Sequence, residues 1–188
     1  MKHQQIILAS QSPRRRDLLK QMGVESICMP VHLDESIHVN EDPSLYCRRL
    51  ALEKALVGWD NSKKMLPVLG SDTIVVIGQE ILGKPQSKEK AYQMLMKLSG
   101  QTHQVHTSVA IVYKEKHEVV ESISHVVFDR LEENEVKAYI DTLEPMDKAG
   151  SYGIQGYASQ WIKHISGSYS GIMGLPIYET SKLLGEFE

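Results

Sequence analysis

The stretch Val68–Ile77 restricts the fold more than any other part of this 188-residue sequence. It joins Val68-Leu69 to a β-branched run at 73–77, and such enrichment predicts a strand at the centre of a sheet, covered on both faces. The polar insert Gly70-Ser71-Asp72 lies inside this strand, where an aspartate is unusual. The chain is therefore expected to fold in layers around this strand, and Asp72 is expected to have a partner there.

Apolar runs alternate with capped helices along the chain. The run 5–9 predicts a buried strand, and it is followed by Ser12 as a helix cap, Pro13 at the first helical position and Gly23 as a stop. This alternation predicts a mixed α/β fold, and without repeats or linkers residues 1–188 are expected to form one domain. The remaining predicted elements are a helix from Pro43 to Gly58 that contains Lys54, a hairpin turn at Gly78-Gln79, a helix at 87–98, strands at 104–113 and 119–129, a helix at 132–143, a loop at 147–156, a strand at 161–165 and a helix at 176–184.

Composition and charge exclude several classes of protein. Lys and Arg total 21 and Asp and Glu total 24, so the chain lacks the basic excess that nucleic acid or an anionic membrane attracts. The apolar run near the amino terminus is too short for a signal peptide, and no run reaches membrane-spanning length. Cys28 and Cys47 lack metal-binding or redox spacing, which indicates idle thiols in a reducing compartment. A cytoplasmic protein that binds neither nucleic acid nor membrane is expected.

The segment Ser10-Gln11-Ser12-Pro13-Arg14-Arg15 is a candidate anion site. A strand that leads into a helix amino terminus presents free N–H groups and the positive end of the helix dipole. The hydroxyls of Ser10 and Ser12 and the guanidiniums of Arg14 and Arg15 suit a polyphosphate, because arginine matches phosphate oxygens in pairs. Taken alone, such a segment is more often a capped helix with solvated arginines.

Three acidic residues, at two places in the chain, are candidates for catalysis or metal binding. Asp72, in the middle of the predicted central strand, needs a metal, a lysine or a positioned water as partner, unless it is a bulge residue that caps a neighbouring loop. Asp34 and Glu35 add carboxylates in a polar loop, where such pairs are often only solvated. Carboxylate oxygens suit Mg²⁺ or Mn²⁺, which usually keep bound waters and bridge to substrate phosphates.

Two glycine motifs resemble known catalytic loops without matching them. The stretch 78–85 fits the first seven places of a P-loop, but Pro85 replaces the Ser or Thr that binds Mg²⁺, and the glycines fall in a hairpin. Lys84 in this stretch can still reach a phosphate. The stretch 167–171 misses the nucleophile elbow because Tyr169 stands at its third place. Serine hydrolase chemistry is therefore not expected.

A third glycine segment, 150–156, carries glycine at every third position, which allows a backbone to approach a ligand closely. Gln155 offers both an amide donor and an acceptor, the pair needed to bind the edge of a base. On spacing alone, a polar residue in an ordinary turn is an equally good explanation. Tyr157 and Trp161 can stack on a base, although core packing is the usual role for at least one of them.

Together these segments resemble the Maf family of nucleoside triphosphate pyrophosphatases, from Ile7 to the end of the chain. Departures from the family are mild: Ser166 stands where Asn or Asp is frequent, and Gln160-Trp161 is unusual for its strand. Seven motifs occur in the family's order, and chance agreement of that extent is negligible. They are Leu8-Ala9-Ser10-Gln11-Ser12-Pro13-Arg14-Arg15, Leu33-Asp34-Glu35, Glu53-Lys54-Ala55, Gly70-Ser71-Asp72-Thr73, Gly83-Lys84-Pro85, Leu98-Ser99-Gly100-Gln101-Thr102-His103 and the run from Asp147 through Ile154-Gln155-Gly156.

The resemblance implies an elongated central sheet flanked by helices, as in inosine triphosphate pyrophosphatases. It also implies hydrolysis of a nucleoside triphosphate to the monophosphate and pyrophosphate with a divalent metal, Mg or Mn. Asp72 matches the family's proton acceptor, Glu35 matches the acid that helps to carry the metal, and Lys54 and Lys84 match lysines near the triphosphate. From the residues alone, Asp72 can either activate the water or position the metal, so both roles stay open.

Within the family, the sequence is similar to the dTTP/UTP branch. The family's specificity positions fall on Arg14, Thr73 and Gln155, whereas the 7-methyl-GTP branch tends to carry an aromatic residue at 14 and Glu-Gly at 155–156. A 7-methyl-GTP pyrophosphatase is the first alternative, and a non-enzymatic regulator of septum formation is the second. The expected partners are nucleoside triphosphates, and a homodimer is left open.

Overall fold

The computed structural model describes residues 5–187, in which a seven-stranded sheet is flanked by helices. The strands are β1 (Gln5–Leu8), β2 (Glu25–Cys28), β3 (Val68–Ile77), β4 (Glu80–Leu82), β5 (Thr102–Tyr113), β6 (Lys116–Phe128) and β7 (Ile162–Ser166). The helices are α1 (Pro13–Gln21), α2 (Pro43–Asn61), α3 (Lys88–Leu98), α4 (Glu133–Asp141), α5 (Tyr169–Met173) and α6 (Ile177–Gly185).

The sheet is mixed, with the strand order β2-β1-β3-β5-β6-β7 and with β4 paired to β3. Strand β1 runs parallel to β2 and β3, and every other pairing is antiparallel. Strand β3 lies inside the sheet, and β5 and β6 form a long antiparallel ladder from Thr102↔Val127 to Tyr113↔Lys116. The predicted mixed α/β fold, with a central strand at 68–77, is confirmed.

Two predicted helix starts and one predicted turn are confirmed by the structure. Ser12 caps α1, with its Oγ accepting a hydrogen bond from the backbone N–H of Arg15, and Pro13 begins the helix. Ser87 caps α3 in the same way, with its side chain accepting from Lys90 N. Gly78 adopts a positive φ of 62° in the predicted turn between β3 and β4.

Three features differ from the prediction. Helix α2 does not end at Gly58 but continues to Asn61. Gly58 is buried, and a Cβ there would lie 2.8 Å from Val68 Cγ1, so this glycine provides room for packing and does not stop the helix. Strand β2 and helix α5 are not predicted, because β2 is a mostly exposed strand without an apolar run and α5 has only five residues.

Helices pack on both faces of the sheet. Apolar residues of β1 and β3 alternate between a cluster with α1 and α6 and a cluster with α2. A further cluster joins the far end of β3 to α3 and α4. Within residues 5–187, none of the helices combines the length and the apolar character that crossing a bilayer requires.

The close approach of α2 to β3 depends on Gly70. A Cβ at position 70 would lie 2.3 Å from the carbonyl oxygen of Ala51 and 2.5 Å from the nitrogen of Ala55, both in the α2 backbone. Only glycine fits this contact without moving the helix or the strand. The contact brings Lys54 of α2 over Asp72 of β3.

Gly70→Ala is expected to destabilise the protein by about 1–3 kcal/mol, because the added methyl group must push apart two backbones that cannot rotate away. Urea unfolding of both proteins, followed by circular dichroism, measures the difference. Gly185→Ala is the matched control, since a Cβ there meets no atom within 4 Å. An equal stability of Gly70→Ala and the wild type would show that the helix and strand have freedom to separate.

Candidate active site

A cavity of about 740 Å³ opens where β1 ends, α1 begins and the middle of β3 is left without a neighbour on one edge. Strand β1 pairs with β3 only at Val68 and Leu69, and β4 pairs only from Val75 onward. Among the described residues, the segment 70–74 therefore has a free edge toward the cavity. The lining contains the cations Arg14, Arg15, Lys54, Lys84 and Lys148 and the carboxylates Glu35, Asp72 and Asp147.

The turn from β1 into α1 forms one wall of the cavity. Ser10 Oγ accepts a hydrogen bond from Ser12 N at 3.1 Å, and Ser12 Oγ accepts one from Arg15 N at 3.4 Å. This turn directs the chain into the amino terminus of a nine-residue helix, where backbone N–H groups lack intrahelical partners. Ser10, Ser12, Arg14 and Arg15 all line the cavity, as the anion-site prediction requires.

The guanidinium of Arg15 donates hydrogen bonds that connect three segments of the cavity wall. Its Nε donates to the carbonyl oxygen of Gly174 at 2.9 Å, its Nη1 to Ser10 Oγ at 3.2 Å and its Nη2 to Thr73 Oγ1 at 3.2 Å. Burial lowers the pKa of the Arg15 guanidinium, and the nearby carboxylate of Asp72 opposes that change. Because the guanidinium of Arg15 already donates to three protein oxygens, Arg14 is the better placed of the two arginines to bind a ligand.

Asp72, Lys54 and Glu35 form a compact charged cluster at the floor of the cavity. Lys54 Nζ lies 2.6 Å from Asp72 Oδ1 and 2.7 Å from Glu35 Oε1. The side chains of Lys54 and Asp72 are only 13% and 10% exposed, whereas that of Glu35 is 48% exposed. The predicted need of Asp72 for a partner is met by a lysine, and the bulge alternative is wrong because β3 pairs with β5 in unbroken register through Asp72.

A hydrogen bond from Tyr46 fixes the loop that carries Glu35. The Tyr46 hydroxyl donates a 2.8 Å hydrogen bond to the backbone carbonyl oxygen of Glu35. Burial, together with the charges of Asp72 and Glu35, raises the pKa of Tyr46 to about 12, so it stays a neutral donor. Partial burial alone would raise the pKa of Glu35, but the hydrogen bond and charge of Lys54 outweigh it and lower that pKa. Glu35 is therefore ionised at neutral pH.

The carboxylate pair fits a divalent cation that is shared with a substrate. Oxygens of Glu35 and Asp72 converge on one nitrogen, so they point at a common position. Mg²⁺ is usually held by one or two carboxylates and completes its shell with water and substrate phosphates. Across residues 5–187 no group of three or more His, Cys, Asp or Glu side chains is arranged to hold a metal. The donor set therefore suits a metal that arrives with a polyphosphate.

Cys47 contacts the backbone of Asp72. Its Sγ is 3.5 Å from the backbone carbonyl oxygen of Asp72 and is buried. Burial, assisted by the charge of Asp72, raises the pKa of the Cys47 thiol to about 12. The thiol is protonated at neutral pH and has no access to a ligand, so it is not a nucleophile.

A further part of the lining comes from Lys84 and from the loop that contains the glycine segment. Lys84 lines the cavity and is exposed. Lys148 Nζ lies 2.7 Å from Asp147 Oδ1 and donates to the carbonyl oxygen of Glu144 at 2.5 Å. Gly153 lines the cavity beside Lys148, where a Cβ would approach Lys148 Cε to 2.9 Å. The absence of a side chain at 153 keeps this part of the cavity open.

The structure does not bring every predicted residue into the cavity. Gln155 is exposed and lies outside the lining, although its neighbour Ile154 belongs to it. Neither Tyr157 nor Trp161 lines the cavity, since Tyr157 stacks on Tyr139 at 5.5 Å and Trp161 is buried in the core. Stacking of these two rings on a base is not supported by this arrangement.

Sequence reasoning gave no site role to Lys148 or to Tyr46. Lys148 follows Asp147 at the start of a loop already suspected of approaching a ligand, and a lysine in that position could have been included. Tyr46 acts through a backbone carbonyl eleven residues away in the chain, and no pattern in the sequence predicts such a contact.

A layered α/β fold with a cation-lined cavity, built on a helix start and a free strand edge, defines the chain as a polyanion-binding protein. The sequence model of the Maf-like protein family matches residues 5–187, and the chain belongs to that family. The resemblance noted from its motifs is thus confirmed.

Curated relatives cover almost the full chain. A dTTP/UTP pyrophosphatase of Alkalilimnicola ehrlichii is 47% identical over 97% of this chain and 93% of its own length. A dTTP/UTP pyrophosphatase of Pseudoalteromonas atlantica is 46% identical over 95% of each chain. A nucleoside triphosphate pyrophosphatase of Haemophilus ducreyi is 46% identical over 97% of this chain and 94% of its own. A solved dITP/XTP pyrophosphatase from Mycobacterium abscessus has a TM-score of only 0.47 at 17% identity, covering 68% of this chain and 75% of that one.

Proposed function

We propose that this protein hydrolyses dTTP and UTP to the nucleoside monophosphate and pyrophosphate. The observation that carries the proposal is the Asp72–Lys54–Glu35 cluster at the floor of a cavity lined by four further cations. A triphosphate needs several positive groups for its charge, and its hydrolysis needs a base beside the attacked phosphate. Relatives that are 46–47% identical over nearly the whole chain carry the name dTTP/UTP pyrophosphatase.

In the proposed mechanism, the cavity walls hold the triphosphate and the floor supplies the base. Arg14, Lys84 and Lys148 neutralise phosphate oxygens as charge shifts to the leaving pyrophosphate. Asp72 accepts a proton from the attacking water, whose oxygen bonds to phosphorus while the anhydride bond between the α and β phosphates breaks. Lys54 holds the Asp72 carboxylate by its Oδ1 atom, which leaves Oδ2 for the proton.

A divalent cation, Mg²⁺ or Mn²⁺, is proposed as the cofactor, with Glu35 and Asp72 as its protein ligands. When bound, it would neutralise phosphate charge next to the scissile bond. The single positive charge of Lys54 balances one of the two negative charges of this pair. One negative charge is left for a bound cation to balance.

Substrate choice is proposed to depend on Arg14, Thr73 and Gln155. Arg14 and Thr73 line the cavity, while Gln155 lies beside it and would have to turn inward to meet a base. The names of the relatives favour pyrimidine triphosphates over the 7-methyl-GTP alternative.

The proposed setting is the cytoplasm, where the substrates are free nucleotides and not nucleic acid. A homodimer is compatible with this function.

The proposal predicts higher kcat/KM values for dTTP and UTP than for GTP and 7-methyl-GTP. A polar site that is left with an unpaired group discriminates strongly against the wrong base. Pyrophosphate release measured with these four substrates at equal metal concentration gives the comparison. A higher kcat/KM for 7-methyl-GTP than for either pyrimidine would assign the protein to the alternative activity.

A further inference from the structure

The hydroxyl of Thr73 belongs to a chain of hydrogen bonds at the cavity edge. Thr73 on β3 pairs directly with Thr107 on β5, and their Oγ1 atoms are 3.0 Å apart. Thr107 Oγ1 is also 2.8 Å from the carbonyl oxygen of Gly171, and Arg15 Nη2 is 3.2 Å from Thr73 Oγ1. Thr107 is fully buried, whereas Thr73 lines the cavity.

The direction of every bond in this chain follows from counting protons. A threonine hydroxyl has one proton, a carbonyl oxygen can only accept, and a guanidinium can only donate. The Thr107 proton must point to Gly171 O, because two unprotonated oxygens at 2.8 Å would repel each other. Thr73 must then donate its own proton to Thr107, while it accepts from Arg15.

After these two bonds, Thr73 Oγ1 retains only one lone pair for a ligand. Toward a ligand in the cavity that Thr73 lines, the hydroxyl can therefore act only as a hydrogen-bond acceptor and not as a donor. A phosphate oxygen is also an acceptor and gains nothing from such a partner. The group that meets Thr73 must carry an N–H or O–H of its own.

We propose that Thr107 is a positioning residue for substrate selection, which holds the Thr73 hydroxyl as an acceptor for the N3–H of a uracil or thymine ring. The inference rests on the proposed function and identifies how that site distinguishes pyrimidines. Uracil and thymine carry a proton at N3, whereas N3 of cytosine is an unprotonated acceptor. With Thr73 fixed in this direction, cytosine would place two acceptors face to face.

Thr107→Val tests the proposal, because valine keeps the shape of threonine and removes the hydroxyl. The proton of Thr73 is then free to turn into the cavity and to bond N3 of cytosine. Gly171 O keeps a hydrogen bond from Gly174 N at 2.8 Å, so the fold should tolerate the change. The ratio of kcat/KM for UTP to that for CTP is expected to fall about tenfold, the usual effect of one selective hydrogen bond.

Thr107→Ser is the matched control, since serine restores the hydroxyl and should retain the wild-type ratio. A Thr107→Val protein that keeps the wild-type ratio, whether its activity is unchanged or falls equally on UTP and CTP, would contradict the proposal. An unchanged ratio would indicate that Thr73 meets a ribose hydroxyl, which both nucleotides share. The Kd values of UMP and CMP, measured by calorimetry, should shift in the same direction as the kinetic ratio.

These measurements separate the inference from the proposed function. A wild-type protein that releases no pyrophosphate from UTP would refute the function, whatever the variants bind. A wild-type protein that hydrolyses UTP, with an unchanged ratio in Thr107→Val, would refute only the role of Thr107.

Discussion

Asp72→Asn is expected to reduce kcat on UTP by about 10²–10⁴-fold, the range typical of a lost general base. Asparagine keeps the size of the side chain, and its amide oxygen can still accept the hydrogen bond that Lys54 donates at 2.6 Å. The substitution removes the negative charge, and with it the capacity to take a proton from water or to bind a metal. Initial rates of pyrophosphate release measure the loss, and circular dichroism verifies the fold.

Asp34→Asn is the matched control for this experiment. Asp34 is close to Glu35 in sequence, but it is exposed, lies outside the cavity lining and bonds only to the backbone of Ser36 among the described residues. Its replacement should leave turnover close to the wild-type value. A folded Asp72→Asn protein that retained more than about a tenth of wild-type activity would remove Asp72 from the mechanism, because that loss falls short of a general-base effect.

Much of the fold could be predicted because its signals are local. Ser12 with Pro13, and Ser87 before α3, specify helix starts through contacts within one turn of the chain. The β-branched run of β3 likewise carries its own strand preference. The prediction that Gly58 stops the helix is wrong because glycine can either stop a helix or make room for a neighbour, and the neighbour here is Val68 on another element.

The candidate site was predictable in its residues and less so in their roles. Asp72 was conspicuous as an acid in an apolar strand, yet only the packing of α2 on Gly70 shows that Lys54 is its partner. Arg15 is expected from the sequence to bind substrate, but its guanidinium donates to three protein acceptors, of which Thr73 and Gly174 lie on distant segments. Such long-range hydrogen bonds leave no spacing pattern in the sequence.

The products of dTTP hydrolysis test the central claim most directly. Four cations besides Lys54 line the cavity, more than one terminal phosphate needs, so the whole triphosphate should be held and pyrophosphate should leave as a unit. The expected products are dTMP and pyrophosphate in equal amounts, without diphosphate. Turnover should require a divalent cation, because Glu35 and Asp72 would otherwise repel the substrate's charge.

Anion-exchange separation of a dTTP digest, sampled early and run with Mg²⁺ or with excess chelator, decides the matter in one measurement. The expected result is dTMP and pyrophosphate with Mg²⁺ and loss of turnover in chelator, restored when Mg²⁺ is returned in excess. Early formation of dTDP and inorganic phosphate, or undiminished turnover in excess chelator, would contradict it.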